Sequence, residues 1–554
     1  MKEYESLDSL FTETTSEFSN SEFKTSAPTP DDGYDYKNVK FDELASLVGR
    51  LAQTMVDKYG IEKGDKVAIV GRPHPKWAAA FFAAQRVGAV VVPIAYNFTS
   101  EEIRRVLHES ESKLAIVQSD KHSVVSEKFN SLSYLENLVV YGGEEEGFKS
   151  WDSFLSREEF TDRPPQDPDE VAVLMYTSGT TGHGKGVMLT HKNLLVNVHD
   201  IAETLEVTPD DCMVSILPWD HIYGLTTTLL VPLAFGASMV YTVDYRNLPS
   251  VLMDNEGTIL LGVPKLLNAL YEETLEKIKS TWWTRWLYKL SPSLLKSKVK
   301  SKLAGDQFRF ITSGGAPLNP ETAKGLKALG IGVMEGYGLT ETSPVLTFTR
   351  DPFTDKEGSV GLPLPSVDIK LRETDDKEIN EVLVKGPNVM KGYYKNEEKT
   401  REVLEEDGWF HTGDSGWLDE DGGLHLNGRT KNVIVLESGN NVYPEEVEHE
   451  LGRISFIEEV MVKEGRRNGR AVVSAVIYPD YEALEEKGIE EEGYIKTFLW
   501  EKIKSESKSL APYMRIKSKK DIEIIEEPFE KTPTQKVKRY LYKEREEEEE
   551  VNSG

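Results

Sequence analysis

Residues 171–185 read VAVLMYTSGTTGHGK, and this stretch decides the fold because it joins a buried strand to a loop suited to an anion. The residues from Val171 to Tyr176 are apolar or aromatic, which predicts a buried β-strand. The loop that follows is rich in glycine and hydroxyl groups: Thr177, Ser178, Gly179, Thr180, Thr181 and Gly182, with Lys185 close behind. Glycines let the backbone approach a phosphate, while hydroxyls, free N–H groups and a lysine donate to its oxygens. The stretch therefore predicts a phosphate-binding loop.

Three interpretations of this loop compete. Gly179 to Lys185 fits the G-x-x-x-x-G-K of P-loop NTPases, but that motif needs Ser or Thr next to hold Mg²⁺, and Gly186 stands there. An ordinary surface turn would rarely follow a buried strand with so many glycines and hydroxyls. The loop closely resembles the T-S-G-T-T-G-x-P-K-G signature of the acyl-adenylate-forming superfamily, which includes acyl-CoA synthetases, luciferases and peptide-synthetase adenylation domains. Gly184 replaces the proline of that signature, which predicts a more mobile loop with no donor lost.

Length and composition bound the class of protein. A chain of 554 residues is too long for one core, so we expect at least two domains. A hydrophobic content of 39% and a mean hydropathy of -0.43 indicate a soluble, globular protein. The single cysteine, Cys212, excludes an internal disulfide and favours a reducing cytoplasm. The net charge of -28 argues against nucleic acid as a partner of the whole chain.

Short apolar runs alternate with helical patterns after residue 40. Phe41, Leu44 and Leu51 have helical spacing, whereas residues 66–71 and 89–94 have the composition of strands. This alternation predicts an α/β fold with layers of helices on mixed, largely parallel sheets. The superfamily resemblance adds a small α+β C-terminal domain, as in acyl-CoA synthetases and luciferases.

The superfamily resemblance also implies how the chain is divided into domains. Residues 33–430 are expected to form a large N-terminal AMP-binding domain, and residues 431–541 a mobile C-terminal domain. Residues 1–32 are rich in Ser, Thr, Glu and Asp without a sustained period, which predicts a disordered lead rather than a signal peptide. Residues 542–554 are expected to form a solvated acidic tail, because residues 544–551 are mostly glutamate.

Residues 217–224, LPWDHIYG, resemble the next motif of the superfamily, in which an aromatic or histidine side chain lies beside the acyl pocket. The resemblance assigns His221 a catalytic role by the reacting carboxylate, although a lone histidine among aromatics is more often a core residue. Residues 222–243 carry no charge, but four threonines, two glycines and Pro232 favour a buried helix and a strand over a membrane span.

The local charge reverses between Lys277 and Lys302. This span holds eight basic residues and no acidic one, together with Trp282, Trp283 and Trp286. Aromatic residues with cations suit a helix that lies on an anionic bilayer, from which acyl chains are delivered. A solvated basic helix that packs its tryptophans on its own domain explains the pattern equally well. Peripheral membrane contact through residues 277–302 is therefore a hypothesis.

Two further strand-to-loop junctions resemble nucleotide-binding segments. Residues 310–318, FITSGGAPL, resemble the segment that borders adenine, which implicates Gly315, Ala316 and Pro317. Residues 334–342, MEGYGLTET, nearly match the Y-G-x-T-E motif. By this resemblance Tyr337, between Gly336 and Gly338, offers its ring to adenine, Thr340 offers a hydroxyl to phosphate, and Thr340 and Glu341 supply hard oxygen ligands for Mg²⁺.

The C-terminal third carries the remaining nucleotide motifs. Residues 408–414, GWFHTGD, resemble W-x-x-T-G-D, in which the aspartate, here Asp414, accepts from both ribose hydroxyls. The resemblance also implies that Arg429 reaches the ribose and that Lys431 marks the hinge between the domains. By the same resemblance, Gly439 falls in a loop that enters the site only for thioester formation, where a glycine leaves room for the pantetheine arm.

Residues 530–536, EKTPTQK, match the position of the catalytic-lysine motif P-x-T-x-x-G-K. Glu530 and Gln535 replace the usual proline and glycine, whereas Lys536 keeps its place. A lysine delivered by a closing domain stabilises the negative charge that builds between a carboxylate and the α-phosphate. A basic tail segment is the plainer interpretation of the same residues.

Together these motifs, spread over residues 176–536, imply an ATP-dependent ligase that uses ATP, Mg²⁺ and coenzyme A. A carboxylic acid would be converted to acyl-AMP and pyrophosphate, and a thiol would then displace AMP. The overall pattern looks most like long-chain fatty acyl-CoA synthetases. A fatty acyl-AMP ligase that serves a carrier protein shares every adenylation motif and stays as the alternative.

Two other classes are less compatible with the sequence. A catalytically silent nucleotide-binding protein would lack Lys536 or Glu341, and both are present. Luciferase-like oxygenation is disfavoured only by its rarity. The sequence leaves the chain length of the acid open, as well as the choice between a monomer and a homodimer.

Overall fold

The computed structural model describes residues 4–28, 34–129, 132–141, 151, 155–177, 184–243, 248–280, 292–354, 356, 358–373, 380–438, 440–467, 469–531 and 537–543. The chain divides into two compact units. The first comprises Met1–Thr177, Lys185–Asp368 and Lys385–Gly408, and the second comprises Ser178–Gly184, Ile369–Val384 and Trp409–Gly554. The predicted boundary between residues 430 and 431 marks the hinge of a domain rotation. The division into compact units does not test a hinge, so this boundary stays a prediction.

Strands of the first unit form two sheets. They are β1 (Glu22–Pro28), β2 (Tyr34–Lys40), β3 (Lys66–Val70), β4 (Val90–Ile94), β5 (Leu114–Gln118), β6 (Asn137–Tyr141), β7 (Val171–Thr177), β8 (Lys185–Thr190), β9 (Cys212–Ser215), β10 (Ser238–Thr242), β11 (Ile259–Gly262), β12 (Phe310–Ser313), β13 (Gly332–Gly338), β14 (Val345–Phe348), β15 (Leu362–Pro363) and, beyond two strands of the other unit, β18 (Gly392–Tyr393). The first sheet has the order β15-β14-β13-β12-β11-β9-β10-β1-β2, and the second has the order β18-β8-β7-β4-β3-β5-β6.

Both sheets are mixed and largely parallel, as the alternation of patterns predicts. Strands β13, β12, β11, β9, β10 and β1 run parallel in the first sheet, and β7, β4, β3, β5 and β6 run parallel in the second. The central residues of β3, β4, β5, β7, β9 and β11 are fully buried and apolar, as is usual for parallel strands inside a sheet. The predicted α/β class is confirmed.

Helices of the first unit are α1 (Leu7–Glu17), α2 (Phe41–Tyr59), α3 (Pro75–Arg86), α4 (Ser100–Ser110), α5 (His122–Phe129), α6 (His191–Leu205), α7 (Ile222–Gly224), α8 (Val231–Ala234), α9 (Leu248–Asp254), α10 (Pro264–Ser280), α11 (Pro292–Ala304), α12 (Pro320–Ala328) and α13 (Glu397–Val403). A π-helical turn at Leu225–Leu230 joins α7 to α8. The charge-free stretch from residue 222 thus forms a buried helical segment followed by β10, as predicted. Among the described residues, no helix is long and apolar enough to cross a bilayer.

The second unit is built around smaller sheets. Its strands are β16 (Asp368–Glu373), β17 (Asn380–Lys385), β19 (Phe410–Leu418), β20 (Leu424–Arg429), β21 (Ile434–Val435), β22 (Asn441–Val442), β23 (Ile457–Arg467), β24 (Arg470–Pro479) and β25 (Ile522–Ile524), and its helices are α14 (Pro444–Leu451), α15 (Tyr481–Glu485), α16 (Glu492–Glu506) and α17 (Tyr540–Lys543). They form sheets β16-β17-β19-β20, β21-β22 and β23-β24-β25. The unit contains both strands and helices, which agrees with the predicted small α+β domain.

The prediction of a disordered lead is wrong for much of residues 1–32. Helix α1 starts after Ser6, whose hydroxyl accepts from the Ser9 N–H in a capping box. Its apolar residues Leu7, Leu10 and Phe11 are fully buried, and β1 pairs in parallel with β10. The few apolar residues of this segment are too sparse to produce a clear period, so only the burial supplied by neighbouring elements makes them a helix and a strand.

Two buried polar contacts anchor α1 to the first unit. The Arg86 guanidinium of α3 donates from Nε to Asp8 Oδ1 over 2.9 Å, with side-chain exposures of 4% and 7%. At the N-terminus of α1, the Leu7 N–H donates to His191 Nδ1 over 3.2 Å. Burial lowers the pKa of His191 to about 4, so the ring is neutral at physiological pH and can accept this bond.

We expect His191 to make the fold sensitive to acid. The pKa of this histidine is lower in the folded state than in the unfolded chain, so its contribution to stability is full above pH 6.5 and is lost as the pH falls through about 4. The lost contribution is about 3 kcal/mol, from the size of the pKa difference. Urea titrations give the free energy of unfolding of the wild type and of His191→Gln. The wild type should be the more stable of the two at pH 7, and this difference should decrease towards pH 4.5. A difference that stays constant with pH would contradict a buried neutral ring.

Candidate active site

The predicted phosphate loop connects two antiparallel strands. Thr177 and Lys185 pair in register at the ends of β7 and β8, and the Thr177 hydroxyl lies 3.5 Å from the Lys185 carbonyl oxygen. The strand β8 follows the loop where a P-loop NTPase has a helix, so the structure gives a second reason to reject that interpretation. Ser178, Gly179, Thr180, Thr181 and Gly182 lie outside the described residues, and their roles stay predictions.

The predicted adenine segment lies at the carboxyl ends of parallel strands in the first sheet. Gly315, Ala316 and Pro317 follow β12 directly and are exposed. Gly315 has a φ of +83°, and no atom lies within 4 Å of the place where a Cβ would stand. A ligand can therefore approach this backbone closely, and the carboxyl edge of a parallel sheet is where α/β proteins bind ligands.

The glycines around Tyr337 are required by close packing. A Cβ on Gly338 would lie 1.8 Å from the carbonyl oxygen of Pro344, and a Cβ on Gly336 would lie 2.8 Å from Phe348 Cε1. Both contacts are shorter than real Cβ contacts allow, so only glycine lets β13 and β14 approach here. Tyr337 itself is half-buried at the end of β13.

Buried polar side chains hold the turn that carries Glu341. Thr340 to Thr342 form a single 3₁₀ turn, in which Thr340 and Glu341 are half-buried. Behind it, the Asn388 side-chain amide donates to the Thr342 carbonyl over 2.9 Å, and the Ser343 hydroxyl donates to the Asn388 carbonyl over 2.9 Å. Both side chains are fully buried, so the turn cannot shift without breaking these bonds in an apolar setting.

Tyr393, on β18, brings two predicted site residues together. Its hydroxyl donates to Glu341 Oε1 over 2.9 Å, and the Lys185 Nζ lies 4.6 Å from the centroid of its ring. The predicted phosphate lysine and the predicted metal ligand are therefore joined through one side chain. No motif of the sequence pointed to Tyr393, because its role depends on strand pairing between segments far apart in the chain.

The His221 segment lies at the same edge of the first sheet as Gly315. His221 is half-buried and directly precedes α7. The hydroxyl of its neighbour Tyr223 lies 3.3 Å from the Gly262 carbonyl oxygen and 3.3 Å from Thr312 Oγ1, at the ends of β11 and β12. This placement agrees with a position of His221 near a substrate, although its catalytic role stays a prediction.

Asp220 is a further titratable group that the sequence interpretation missed. Burial raises the pKa of its carboxyl to about 7, although the Tyr96 N–H donates to Asp220 Oδ2 over 2.8 Å. Asp220 stands between buried Trp219 and the candidate residue His221, and perturbed pKa values are a feature of functional groups.

Within the second unit, the two predicted ribose residues contact each other. Asp414 and Arg429 face each other in the register of β19 and β20, with the Arg429 Nε 2.9 Å from Asp414 Oδ1. Arg429 also donates to the Thr412 carbonyl over 2.9 Å, which fixes the guanidinium beside the carboxylate. Lys431 follows and is exposed, in the middle of a 3₁₀ turn at Thr430–Asn432. Gly439 and Lys536 lie outside the described residues.

The oxygen groups of Thr340 and Glu341 fit a magnesium ion. Among the described residues, no group of three or more His, Cys, Asp and Glu side chains is arranged so that it could hold a metal ion. Magnesium does not need such a group, because it commonly takes one or two carboxylates and completes its shell with water and substrate phosphates. A carboxylate beside a hydroxyl, on a turn near a phosphate-loop lysine, suits this mode of binding.

Comparisons with known proteins agree with this geometry. A sequence profile of the family described as AMP-binding enzyme matches residues 22–394. Long chain acyl-CoA synthetase 7, peroxisomal, of Arabidopsis thaliana is 30% identical over 465 residues, which cover 76% of this chain and 66% of that protein. Feruloyl-CoA synthase of an Amycolatopsis species is 32% identical over 420 residues, which cover 74% of this chain and 77% of that protein. The chain thus spans slightly less than two thirds of the plant relative.

A solved structure shares the fold over the whole chain. The crystal structure of the anthranilate CoA ligase AuaEII in complex with anthranoyl-AMP superposes with a TM-score of 0.80 at 21% identity, covering 100% of this chain and 99% of that one. At this identity the likeness concerns the fold alone.

The contact at Gly338 generates a testable prediction. Gly338→Ala places a methyl group against the Pro344 carbonyl, and overpacking of this kind typically costs about 1–3 kcal/mol. We expect a lower melting temperature and weaker stabilisation by MgATP in thermal-shift measurements, since the strand that leads to Glu341 must move. Gly493→Ala is the control, because nothing lies within 4 Å of its Cβ position. Equal melting temperatures for the two variants would contradict the close approach of β13 and β14.

Proposed function

The chain belongs to the AMP-binding enzyme family, and from this premise we propose that it activates a fatty acid with MgATP and transfers the acyl group to coenzyme A. The first half-reaction joins the acid carboxylate to the α-phosphate of ATP and releases pyrophosphate. In the second, the thiol of coenzyme A attacks the acyl carbonyl and AMP leaves. The coarser part, adenylate-forming acid–CoA ligation, is the activity that the family supports.

The observation that carries the proposal is the shared contact of Lys185 and Glu341 with Tyr393. A cation for phosphate oxygens and a carboxylate for a metal ion are held at one place in the first unit. Adenylation needs such a pair, because the departing pyrophosphate accumulates negative charge. Glu341 and Thr340 would hold Mg²⁺, which would supply Lewis-acid stabilisation of that charge.

The other predicted residues have positioning roles in the proposal. Tyr337 and the backbone from Gly315 to Pro317 would bind adenine, and Asp414 with Arg429 would bind the ribose hydroxyls. His221 would lie beside the substrate carboxylate, and Lys536 would bridge it to the α-phosphate. No protein nucleophile is needed, since the two reacting groups come from the substrates and the protein contributes orientation and charge.

The thioester step would use a second arrangement of the chain. We propose that rotation about Lys431 withdraws Lys536 after adenylation and brings the loop of Gly439 to the acyl-AMP. Glycine suits that loop because the pantetheine arm must pass close to the backbone. Separate arrangements for the two steps would let one site serve two reactions with different transition states.

A long-chain fatty acid is the proposed acyl group. The sequence resemblance to long-chain fatty acyl-CoA synthetases and the 30% identity to the plant synthetase support it. A fatty acyl-AMP ligase that passes its product to a carrier protein is the alternative, since it would use the same adenylation residues. The feruloyl-CoA synthase relative makes aromatic acids a necessary part of any substrate panel.

Pyrophosphate release with MgATP tests the proposal directly. The panel is acetate, octanoate, palmitate, benzoate, ferulate and several amino acids, each with and without coenzyme A. We expect turnover on palmitate that requires coenzyme A and yields AMP. Palmitate adenylation that coenzyme A does not accelerate would favour the carrier-protein ligase, and release with none of the acids would contradict a ligase.

A lysine pair provides the matched control for that assay. Lys536→Ala should reduce acid-dependent pyrophosphate release by about 10²–10³-fold, the usual loss when one charge-stabilising donor is removed. Lys538→Ala removes an equal charge nearby, from a lysine that lies 3.6 Å from Glu530, and should leave the rate unchanged. Similar losses in both variants would contradict a specific role of Lys536.

We also propose a cytoplasmic location with peripheral membrane contact through residues 277–302. Helices α10 and α11 flank residues 281–291, which lie outside the described residues. Changing Trp282, Trp283 and Trp286 together to serine should abolish sedimentation with anionic liposomes, because interfacial aromatics supply the apolar part of such binding. Acyl transfer from octanoate, which is soluble without a bilayer, is the control. Unchanged liposome binding would contradict the proposal.

A further inference from the structure

A short segment around β18 connects the strand of Lys185 with the turn of Glu341. The Tyr394 N–H donates to the Gly186 carbonyl over 2.7 Å, and the Lys391 N–H donates to the Met188 carbonyl over 3.0 Å. One residue earlier, the Met390 N–H donates to the main-chain carbonyl of Glu341 over 2.8 Å. The backbone of this segment is therefore bonded to both elements that carry the charged site residues.

Tyr393 makes the same connection with its side chain. It is 5% exposed, its N–H donates to Thr400 Oγ1 over 2.9 Å, and its strand pairs antiparallel with β8. The phenol hydroxyl donates to Glu341 Oε1 over 2.9 Å, while the ring lies 4.6 Å from the Lys185 Nζ. A buried ring on a paired strand has little freedom, so both contacts are held at a fixed place.

We propose that Tyr393 is a positioning residue that orients the Glu341 carboxylate for the metal ion of bound MgATP and holds Lys185 beside it. The inference rests on the proposed function, because it assigns Glu341 to the metal. The hydroxyl donates to Oε1 of Glu341 and so fixes the orientation of the carboxylate that would hold the metal ion. The ring face attracts the Lys185 ammonium through its quadrupole and presents no acceptor that would compete with phosphate.

The chemistry of the two contacts separates their consequences. The hydroxyl bond orients the Glu341 carboxylate, so its loss should reduce the contribution of the metal ion to nucleotide affinity. The ring contact positions Lys185, so its loss should reduce the affinity for ATP both with and without the metal ion. Replacing Tyr393 by phenylalanine removes the first contact and keeps the second, whereas leucine removes both.

Binding of ATP by titration calorimetry, once with excess MgCl₂ and once with EDTA, measures each contribution without turnover. Tyr393→Phe should weaken the binding of MgATP by about tenfold, the effect of losing one hydrogen bond to a charged acceptor. Its affinity for metal-free ATP should equal that of the wild type. Tyr393→Leu should weaken binding in both conditions. A melting curve without nucleotide establishes that each variant is folded.

Tyr394→Phe is the matched control. Tyr394 is the next residue of the chain, and its hydroxyl lies 3.5 Å from Glu111 Oε2, so it should bind both forms of ATP like the wild type. If Tyr393→Phe binds MgATP as tightly as Tyr394→Phe does, the positioning role is overturned.

Glu341→Gln separates the inference from the function it rests on. A loss of MgATP affinity in Glu341→Gln together with wild-type binding by Tyr393→Phe would overturn the role of Tyr393 alone. Unchanged MgATP binding by Glu341→Gln would remove Glu341 as the metal ligand and overturn both. A selective loss in both variants supports the inference.

Discussion

The need to pair buried polar groups is the constraint on which the candidate site depends. Thr342, Ser343, Asn388 and Asn197 are all fully buried, and they hold the turn of Glu341 with hydrogen bonds rather than with apolar contacts. The Asn197 amide bonds both the N–H and the carbonyl of Val345, directly after that turn. A shift of the turn would break these bonds and leave buried donors and acceptors without partners, which costs free energy. The carboxylate on its other side is thereby placed before any ligand arrives.

That placement matters because the proposed chemistry is electrostatic. Groups aimed at developing charge are most effective when they need no rearrangement during the reaction. Lys185 belongs to the second sheet, and Glu341 follows the last parallel strand of the first sheet. A further contact is therefore needed to keep the two residues close to each other. The segment around β18 provides this contact, since it is bonded to β8 and to the turn of Glu341. The site is thus built where two sheets are joined.

Several features that determine the site could not be read from the sequence. Asn197, Asn388 and Tyr393 are single residues without a periodic pattern or a distinctive neighbourhood, and each acts on a segment far away in the chain. Helix α1 was missed because its buried residues Leu7, Leu10 and Phe11 stand among polar ones. The glycines of the Tyr337 motif were recognised by resemblance, whereas their physical reason, the approach of Pro344 and Phe348, appears only in the fold.

The sequence by itself determined the α/β class, the position of the phosphate loop after a buried strand, and the motifs by which the chain resembles the acyl-adenylate-forming superfamily. These properties can be predicted because they depend on residues close together in the sequence. Examples are an apolar run beside glycines and hydroxyls, or apolar residues that recur with a period of two or of 3.6. Only the tertiary structure decided the order of the strands, the pairing of β18 with β8, and the meeting of Lys185 and Glu341 at Tyr393. Such contacts join residues more than 150 positions apart, as from Lys185 to Glu341, and their partners are selected by burial and hydrogen bonding in the folded chain rather than by any local pattern.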